Sequence, residues 1–488
     1  MKLCLINHSF RYELEKLIRI FLPFEKIEFC ETAEFSDSSA VTQITDSNEA
    51  LAELYFGGDI YKKLLPLDLS AQDSEKEREL KLAQALYDCF VSATGYIAQW
   101  GILTGVRPAK LFSRLCDTLG EEKTVEYFQN ELKVNSKKIS LCKDAVKGEG
   151  KITALSKKNS YSLYISIPFC PTRCSYCSFV SHSVESAKKL IPAYVEKLCD
   201  ELRITASIAK NNGLRLETIY IGGGTPTSVC AEHLELIMKT VAENFDLSSL
   251  REYTVEAGRP DTVTKEKLEV IKKFGATRIS INPQTMNDDV LKEIGRRHSA
   301  NDTVNAFMLA RKIGFNNINM DLIAGLPSDT AESFKDTVQK VLELKPESVT
   351  VHSLSVKRSS KINVNGELPE KSIGETASFM VDYAREKLSE NGIVPYYMYR
   401  QSKTVGNLEN VGYAKSGYEC LYNVYIMDET HTILACGASA VTKLREPQGN
   451  YIERIFNFKY PYEYIDRFDE LLLRKNGISE FYNKYGKN

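Results

Sequence analysis

Three cysteines stand close together in the segment IPFCPTRCSYCSF, at Cys170, Cys174 and Cys177. This C-x3-C-x2-C spacing would be a rare accident among twelve cysteines in 488 residues, which disfavours three idle buried thiols. A structural zinc site needs four ligands, and His182 could supply the fourth in an uncommon spacing. A [4Fe–4S] cluster held by three thiolates instead leaves one iron open to a small molecule. An open metal position is what catalysis at a metal requires.

A glycine-rich turn, IYIGGGTPT, follows a second β-rich run of the chain. It lacks the G-x-G-x-x-G spacing of a dinucleotide-binding loop, and its Pro226 fits the entry of a helix. Glycines at the carboxyl end of a barrel strand allow a ligand to lie against bare backbone. Gly223, Gly224 and Thr225 are therefore candidate ligand contacts, and an ordinary strand-to-helix turn is the alternative.

Polar side chains also stand at further predicted strand ends. Glu256 ends EYTVEAG, Gln284 follows RISIN, and Asp321 lies in NMDLIAGLP. The carboxyl ends of the strands form the active face of a barrel, so these three side chains are candidate functional residues. Helix capping is their alternative role. Arg296 stands on the helix after Gln284, and a solvated surface arginine is its alternative.

The elements that would position these residues alternate between strand and helix from Ser160 to about Gly392. This alternation predicts a parallel α/β sheet with right-handed crossovers, and six units predict a partial (β/α)6 barrel over residues 160–392. Residues 1–155 predict an N-terminal α+β domain that ends in a polar linker, KGEGKITALSKKNS. Residues 393–488 predict a small C-terminal α+β domain. The six predicted strands are SLYISI, ETIYIG, EYTVEA, RISIN, NINMDLI and SVTVHSL.

The composition is that of a globular protein, with 43% hydrophobic and 26% charged residues. Lys and Arg total 63 against 65 Asp and Glu, so the net charge of −2 gives no electrostatic case for binding nucleic acid. The sequence shows no signal peptide and no run of 18 apolar residues, so we expect no membrane span. The nine cysteines outside the 170–177 segment are scattered, and we expect most to be reduced core residues of a cytoplasmic protein.

The CPTRCSYC motif, at a strand end in a chain of βα units, resembles the radical S-adenosylmethionine (SAM) enzymes. The resemblance implies that Cys170, Cys174 and Cys177 hold a [4Fe–4S] cluster whose open iron binds SAM. In that family, one-electron reduction cleaves SAM to a 5′-deoxyadenosyl radical. A one-electron reductant such as flavodoxin or ferredoxin is the implied partner.

A closer resemblance covers residues 160–445, where LYISIPFC, CSYCSF, IGGGTPT, TVEAGRP, SINPQTMNDDVLKEIGRRH, MDLIAGLP and CGASAV occur in order. These motifs resemble the oxygen-independent coproporphyrinogen III oxidase (HemN-like) family, and the extension with GVRPAKL is similar to its HemZ branch, the coproporphyrinogen dehydrogenases. Motif by motif, the resemblance implies SAM contacts at Tyr164, Tyr176, Gly223, Glu256, Ser355 and Val441. It implies contacts to a second SAM at Gly224, Thr225, Gln284, Arg296 and Asp321.

The resemblance implies an oxidoreductase of haem biosynthesis that decarboxylates two propionates of coproporphyrinogen III to give protoporphyrinogen IX. Such a tetrapyrrole substrate presents carboxylates, which the fixed fork of arginine matches. The basic residues that follow apparent strand ends are candidates for this contact: Arg259, Lys357, Arg358 and Arg400.

A haem-binding, chaperone-like protein on the same scaffold is the alternative to the oxidase. Phe179 stands where the oxidase has a further cysteine, and the chain reads GYECLYNVYIMDETHTIL in place of an FQGYTTQ-like stretch. Haem can be ligated by histidine, for which His182 and His352 are candidates. A radical SAM enzyme acting on RNA is a third hypothesis, which the mildly acidic N-terminal segment disfavours, because phosphate binding needs a basic surface.

Overall fold

The computed structural model describes residues 1–32, 38–68, 74–177, 181–355 and 371–486, the side chains of 371–373 excepted. The chain forms two compact units, each assembled from several segments. The first unit is Met1–Val146 with Val364–Ser378 and Tyr399–Glu409; the second is Lys147–Asn363 with Phe379–Met398 and Asn410–Asn488. These units group the chain differently from the boundaries predicted at 155 and 393.

The N-terminal part combines a mixed sheet with helices. Within the described residues its five strands lie in the order β2-β1-β3-β4-β5; β1 is parallel to both neighbours, and β3, β4 and β5 form an antiparallel meander. A π-helical turn, Tyr127–Glu131, follows α4. The elements are β1 (Lys2–Ile6), α1 (Arg11–Phe21), β2 (Glu28–Cys30), β3 (Ser38–Ile44), β4 (Glu49–Phe56), β5 (Asp59–Pro66), α2 (Ser74–Thr94), α3 (Pro108–Leu119), α4 (Glu121–Glu126) and α5 (Ser136–Thr153).

The middle of the chain alternates between parallel strands and helices, as the sequence predicts. Each of the six predicted β-rich runs forms a strand, and these lie side by side in chain order, as expected of a partial α/β barrel. The elements are β6 (Ser160–Ile167), β7 (Phe169–Cys170), β8 (His182–Ser183), α6 (Val184–Ala187), α7 (Ile191–Asn211), β9 (Arg215–Gly223), α8 (Ala231–Asn244), β10 (Glu252–Glu256), α9 (Lys265–Lys273), β11 (Arg278–Ser280), α10 (Asp288–Glu293), α11 (Ala300–Ile313), β12 (Ile318–Ala324), α12 (Ala331–Leu344) and β13 (Ser348–Ser353).

The C-terminal part extends the barrel sheet at both ends. Strand β15 pairs antiparallel with β13 at one end, and β16 pairs parallel with β6 at the other. The predicted strand, glycine turn and strand of HTILACGASAVTKL are β16 and β17, and the predicted helical tail is α15 and α16. The elements are α13 (Lys371–Glu390), β14 (Val394–Arg400), β15 (Glu409–Ala414), α14 (Leu421–Asp428), β16 (Thr432–Cys436), β17 (Val441–Arg445), β18 (Ile452–Phe456), α15 (Pro461–Asp466) and α16 (Phe468–Tyr485).

The predicted linker over residues 147–160 is wrong in its first half, because α5 continues through Thr153. Its two glycines are typical of a linker, but Gly148 has a packing role instead. A Cβ added to Gly148 would lie 2.5 Å from the Cα of Tyr396, so glycine allows β14 to approach the helix closely.

Two of the nine scattered cysteines differ from the expectation of reduced thiols. Cys4 and Cys30 form a disulfide, because they are register partners on the adjacent parallel strands β1 and β2. The other seven are free, as expected: Cys89, Cys116, Cys142, Cys199, Cys230, Cys420 and Cys436. None of the helices in the described ranges is both long and apolar enough to cross a membrane.

Candidate functional site

The parallel strands β6 and β9 to β13 point the same way, so their carboxyl ends meet at one edge of the sheet. The cysteine segment and the glycine turn both follow strands at this edge. The predicted site residues on the strands and on the turns that follow them are Tyr164, Gly223, Gly224, Thr225, Glu256, Gln284, Asp321 and Ser355.

The stem of the cysteine loop is fixed by backbone hydrogen bonds. The short strands β7 and β8 pair parallel and form this stem, which brings Cys170 beside Ser183. The glycine turn attaches to the same stem: the N–H of Gly224 donates to the carbonyl of Ile167 at 2.8 Å, and that of Thr225 to the carbonyl of Phe169 at 2.8 Å. The two sequence motifs therefore form one structural unit.

Gly224 cannot carry a side chain in this arrangement. A Cβ at this position would lie 2.7 Å from the carbonyl oxygen of Phe169 and 3.0 Å from the Sγ of Cys170. The hydroxyl of the next residue, Thr225, donates to Cys170 Sγ at 3.4 Å. Both residues thus contact the first cysteine of the loop, which is a role beyond the SAM contacts that the sequence predicts for them.

The far side of the cysteine loop rests on the turn after α10. The N–H of Ser175 donates to the carbonyl of Ile294 at 3.0 Å, and the hydroxyl of Thr172 to that of Gly295 at 3.1 Å. Arg296 donates to the hydroxyl of Tyr176 at 2.9 Å. Its other terminal nitrogen donates to the carbonyls of Gly258 and Asn282, each at 3.1 Å, so the buried arginine joins the loop to the ends of β10 and β11.

Gln284 adopts a left-handed backbone conformation with φ of 70°, which is unusual for a residue other than glycine. Its backbone is held on both sides by β12: its N–H donates to the carbonyl of Asp321 at 2.9 Å, and its carbonyl accepts from Ile323 at 3.0 Å. Strained backbone of this kind is concentrated at functional sites. The structure thus brings the predicted pair of Gln284 and Asp321 together.

Glu256 lies beside a stack of three tyrosine rings. The hydroxyl of Tyr220 donates to its carboxylate, and the ring of Tyr220 lies 6.3 Å from that of Tyr164 and 4.5 Å from that of Tyr422. Burial, together with the negative charge of Asp321, raises the pKa of Glu256 to about 7. Glu256 is therefore partly protonated at neutral pH.

Asp321 is the second carboxylate of this group. Burial alone would raise its pKa, but His352, with Nε2 3.8 Å from Oδ2, and Asn319, which donates to Oδ1 at 2.7 Å, outweigh burial and lower the pKa. Two neighbouring carboxylates with opposite pKa shifts are a pattern typical of functional sites.

Two of the basic residues that were candidates for binding substrate carboxylates, Arg259 and Arg400, instead donate hydrogen bonds to protein acceptors. Arg259 is buried and holds Asp261 with two nitrogens, each at 2.9 Å. Arg400 is buried and donates to the carbonyls of Gly105 and Asn407. The prediction that these two bind substrate carboxylates is therefore wrong, because protein acceptors already occupy their guanidinium groups. Lys357, Arg358 and Phe179 lie outside the described residues.

The remaining predicted residues are more peripheral. Val441 opens β17, after the glycine turn of CGASAV, and Ser355 follows β13. A Cβ on Gly437 of that turn would lie 2.5 Å from the carbonyl oxygen of Ser166, and one on Gly223 would lie 3.0 Å from the Oγ of the same serine. The two glycine turns thus share a neighbour at the end of β6. His182, on β8, is flanked by the rings of Tyr460 and Tyr462.

The donor set of the loop fits an iron–sulfur cluster. Hydroxyl and guanidinium groups are directed at the sulfurs of Cys170 and Cys174, as outer partners of cluster sulfurs are. Within the described ranges, no three Cys, His, Asp or Glu side chains converge as ligands of a single ion would.

The sequence analysis missed two residues of this site, Tyr220 and Tyr422, and it gave Arg259 a substrate contact in place of its contact with the cysteine loop. Tyr220 could have been found, because it precedes the glycine turn on an alternating strand and is the register partner of Tyr164. Tyr422 could not, because it reaches the stack from α14, about two hundred residues later in the chain.

A parallel α/β barrel with a three-cysteine loop at its first strand end defines the radical SAM class of protein. Residues 164–341 match the family model of the radical SAM superfamily. The structure of coproporphyrinogen III oxidase (HemN) from Escherichia coli, a radical SAM enzyme, superposes with a TM-score of 0.51 at 23% identity, covering 66% of this chain and 71% of that one. This likeness shows the fold.

Two curated relatives indicate to which family within the radical SAM superfamily the chain belongs. The chain is 36% identical over 448 residues to the oxygen-independent coproporphyrinogen-III oxidase-like protein HemZ of Bacillus subtilis, covering 90% of this chain and 89% of that protein. It is 34% identical to the heme chaperone HemW of the same organism, covering 67% of this chain and 87% of that protein. The chain belongs to the family of oxygen-independent coproporphyrinogen III oxidase-like radical SAM proteins.

Proposed function

We propose that this protein carries out the oxygen-independent oxidative decarboxylation of coproporphyrinogen III to protoporphyrinogen IX. The observation that supports the proposal is that Glu256, Gln284 and Asp321 lie on neighbouring strands of the barrel sheet or the turns after them, and that Arg296 joins the cysteine loop to the ends of two of these strands. These are positions that the oxidase resemblance assigns to SAM. The HemZ relative, whose name is that of an oxidase-like protein, supports it over 90% of the chain.

Under this proposal, Cys170, Cys174 and Cys177 hold the cluster, and the strand-end residues hold SAM. When bound, cluster and SAM would supply a hydrogen-atom abstractor. Each of two propionates would lose one hydrogen atom to it, release one CO2 and pass one electron to an external one-electron acceptor to become a vinyl group. Glu256 and the tyrosine stack of Tyr164, Tyr220 and Tyr422 offer SAM a carboxylate acceptor and flat aromatic faces. A one-electron reductant such as flavodoxin or ferredoxin is the proposed partner.

The buried location of the site supports radical chemistry in a further respect. Arg296, Gln284 and Thr225 are all less than a tenth exposed, so bulk water has little access to this part of the site. A closed site prevents side reactions of reactive species with solvent. Arg296 organises this region by tying Tyr176 to two strand ends.

The proposal is tested by anaerobic incubation of the reconstituted protein with SAM, dithionite and coproporphyrinogen III, with products followed by mass. We expect two SAM consumed and two CO2 released per protoporphyrinogen IX. Cys174→Ala should abolish both the iron content and the product. Cys230→Ala is the matched control, because Cys230 is an exposed free cysteine outside the loop.

A haem-handling protein is the second candidate function. It is favoured by the likeness to the heme chaperone HemW over 67% of the chain and by Phe179 at the position of the additional oxidase cysteine. His352, which is part-exposed beside Asp321, is its proposed ligand. Recovery of coproporphyrinogen III at its starting mass, together with stoichiometric haem binding that His352→Ala weakens, would replace the oxidase proposal with this one.

A further inference from the structure

Arg259 is buried behind the cysteine loop, and its contacts converge on that loop. One terminal nitrogen, Nη1, donates to the hydroxyl of Thr172 at 3.2 Å and to the Sγ of Cys174 at 3.6 Å. The other nitrogens, Nε and Nη2, hold the carboxylate of Asp261 in a two-point contact at 2.9 Å each. The guanidinium is thus oriented by Asp261 on one side and directed at the loop on the other.

Asp261 is held in its ionised form. Burial alone would raise its pKa, but the side chains of His298 and Arg259 outweigh burial and hold the pKa well below its ordinary value. The His298 ring is fully buried, with Nδ1 3.8 Å from Asp261 Oδ1. An ionised Asp261 keeps the arginine fork in place, since two parallel N–H···O bonds fix its geometry.

We propose that Arg259 is a positioning residue of the cluster site, which donates an N–H···S hydrogen bond to Cys174 and thereby raises the reduction potential of the bound cluster. Reduction adds one electron, taken from an external one-electron donor, and increases the negative charge on the sulfurs. Hydrogen bonds to cluster sulfurs stabilise that charge and are a principal determinant of cluster potentials. Lysine could not replace arginine here, because one ammonium cannot bind Asp261 at two points and also reach Cys174.

The inference rests on the cluster ligands assigned under the proposed function, but it holds equally for an oxidase and for a haem-handling protein. A SAM-cleaving protein needs its cluster to accept an electron from a soluble donor, so a residue that raises the potential makes this reduction easier. The loop contact to Thr172 gives Arg259 a second role, because the same nitrogen also fixes the loop segment before Cys174.

The test is an EPR-monitored redox titration of the reconstituted protein without SAM, in the variants Arg259→Met and Arg259→Lys. Arg203→Met is the charge-matched control, because Arg203 is half-exposed and pairs with Asp200 on the surface of α7. We expect a more negative midpoint potential in Arg259→Met, an intermediate one in Arg259→Lys and an unchanged one in Arg203→Met. Pulsed EPR of the reduced cluster should show an exchangeable proton that is absent from Arg259→Met.

Iron analysis separates failure of this inference from failure of the ligand assignment. A wild-type chain that holds no cluster would remove the assignment of the three cysteines and the inference with it. Arg259→Met with full iron content and the wild-type potential would overturn the inference alone. If Arg259→Met binds too little iron, Arg259→Lys decides: a lowered potential supports the inference, and the wild-type potential overturns it.

Discussion

Two half-buried carboxylates of the barrel strands, Glu256 and Asp321, differ in their affinity for protons. Glu256 accepts one hydrogen bond, from Tyr220, and its pKa is raised to about 7 by burial. The pKa of Asp321 is lowered despite burial, because His352 and Asn319 stabilise the charged form of this carboxyl group. Residues whose environments separate their pKa values in this way can take different roles. Here, Asp321 remains charged at neutral pH, whereas Glu256 gains or loses its proton there.

Glu256→Gln should remove a pH dependence from SAM binding. Ionised Glu256 accepts charge-assisted hydrogen bonds, so wild-type affinity should rise between pH 6 and pH 8 as this carboxyl loses its proton. The variant should bind SAM about tenfold to a hundredfold more weakly at pH 8, the equivalent of about 1.5–3 kcal/mol, and show a flat profile. Isothermal titration at both pH values measures this. Glu269→Gln, on the exposed face of α9, should keep the wild-type profile.

The raised pKa of Glu256 also determines how the stability of the folded protein changes with pH. The pKa of Glu256 in the folded protein lies above its ordinary value of 4.5, so the folded state binds this proton more tightly than the unfolded state. The stabilisation is therefore complete below about pH 4.5 and is lost as pH rises through about 7. Relative to wild type, Glu256→Gln should gain stability from pH 5 to pH 8, by at most about 3 kcal/mol. Equal urea midpoint differences at the two pH values would contradict this assignment.

At the scale of the elements, the glycine turn and the cysteine loop depend on each other. Gly224→Ala would place a Cβ 3.0 Å from Cys170 Sγ and 2.7 Å from the carbonyl oxygen of Phe169, so the loop stem must shift. We expect a reduced iron content after reconstitution, with an unchanged far-ultraviolet circular dichroism spectrum. The control is Gly150→Ala, which meets no atom within 4 Å and lies inside α5. It should retain iron and be slightly more stable, because alanine favours helix.

The CGASAV turn is held by a buried ion pair between α7 and α16. Glu201 accepts from Lys475 at 2.8 Å, from the N–H of Gly437 at 2.7 Å and from the hydroxyl of Tyr464 at 2.6 Å. All of these hydrogen bonds come from protein groups, and Glu201 is fully buried. Water therefore could not replace a partner that is lost. The pair therefore fixes the turn that precedes β17 and its predicted SAM contact, Val441.

Lys475→Met should destabilise the protein by about 3–5 kcal/mol, because it leaves Glu201 charged and buried without its cation. The double variant Glu201→Gln/Lys475→Met should recover part of this loss, since the uncompensated charge is gone. Urea unfolding followed by circular dichroism gives the comparison. Lys335→Met, which breaks an exposed pair with Glu332, should cost no more than about 1 kcal/mol. Equal effects of Lys335→Met and Lys475→Met would exclude a special role for the buried pair.

The sequence predicts the barrel strands well, because each is a short β-rich run bounded by helical segments. It does not predict the meander β3 to β5. Strand β4 reads EALAELYF, whose alanine, glutamate and leucine favour helix, so pairing with β3 and β5 overrides local propensity. The consecutive Gly57 and Gly58, both with positive φ, were the available signal for its tight turn.

The candidate site was predictable wherever its residues lie on barrel strands or the turns after them in recognisable motifs, as Glu256, Gln284 and Asp321 do. It was not predictable where the function depends on partners distant in sequence. Arg259 also follows a strand, so its position alone suggested a substrate contact. Only the fold shows that Asp261 and the cysteine loop already occupy its nitrogens.

At the scale of the whole molecule, the first compact unit is not simply the N-terminal segment. Residues 399–409 belong to it and bring two buried charged side chains. Glu409 accepts from Trp100 and from Lys138, each at 2.8 Å, and Arg400 donates to the carbonyl of Gly105 at 3.4 Å. The partners of these charges thus lie more than 250 residues earlier in the chain.

A chain truncated to residues 147–488 should therefore aggregate instead of folding as an independent barrel. Removal of residues 1–146 takes Lys138 from Glu409 and the carbonyl of Gly105 from Arg400, which keeps only Asn407 of the two acceptors. Where such a charge stays buried without its partner, the cost is typically about 3–5 kcal/mol. Soluble yield and iron content of the truncated chain measure this. The double substitution Arg400→Met/Glu409→Met should raise the soluble yield of the truncated chain and lower the stability of the full-length one. If the unsubstituted truncated chain is soluble and holds four irons, residues 399–409 do not depend on the N-terminal segment, and the prediction of a separate domain at 1–155 is supported.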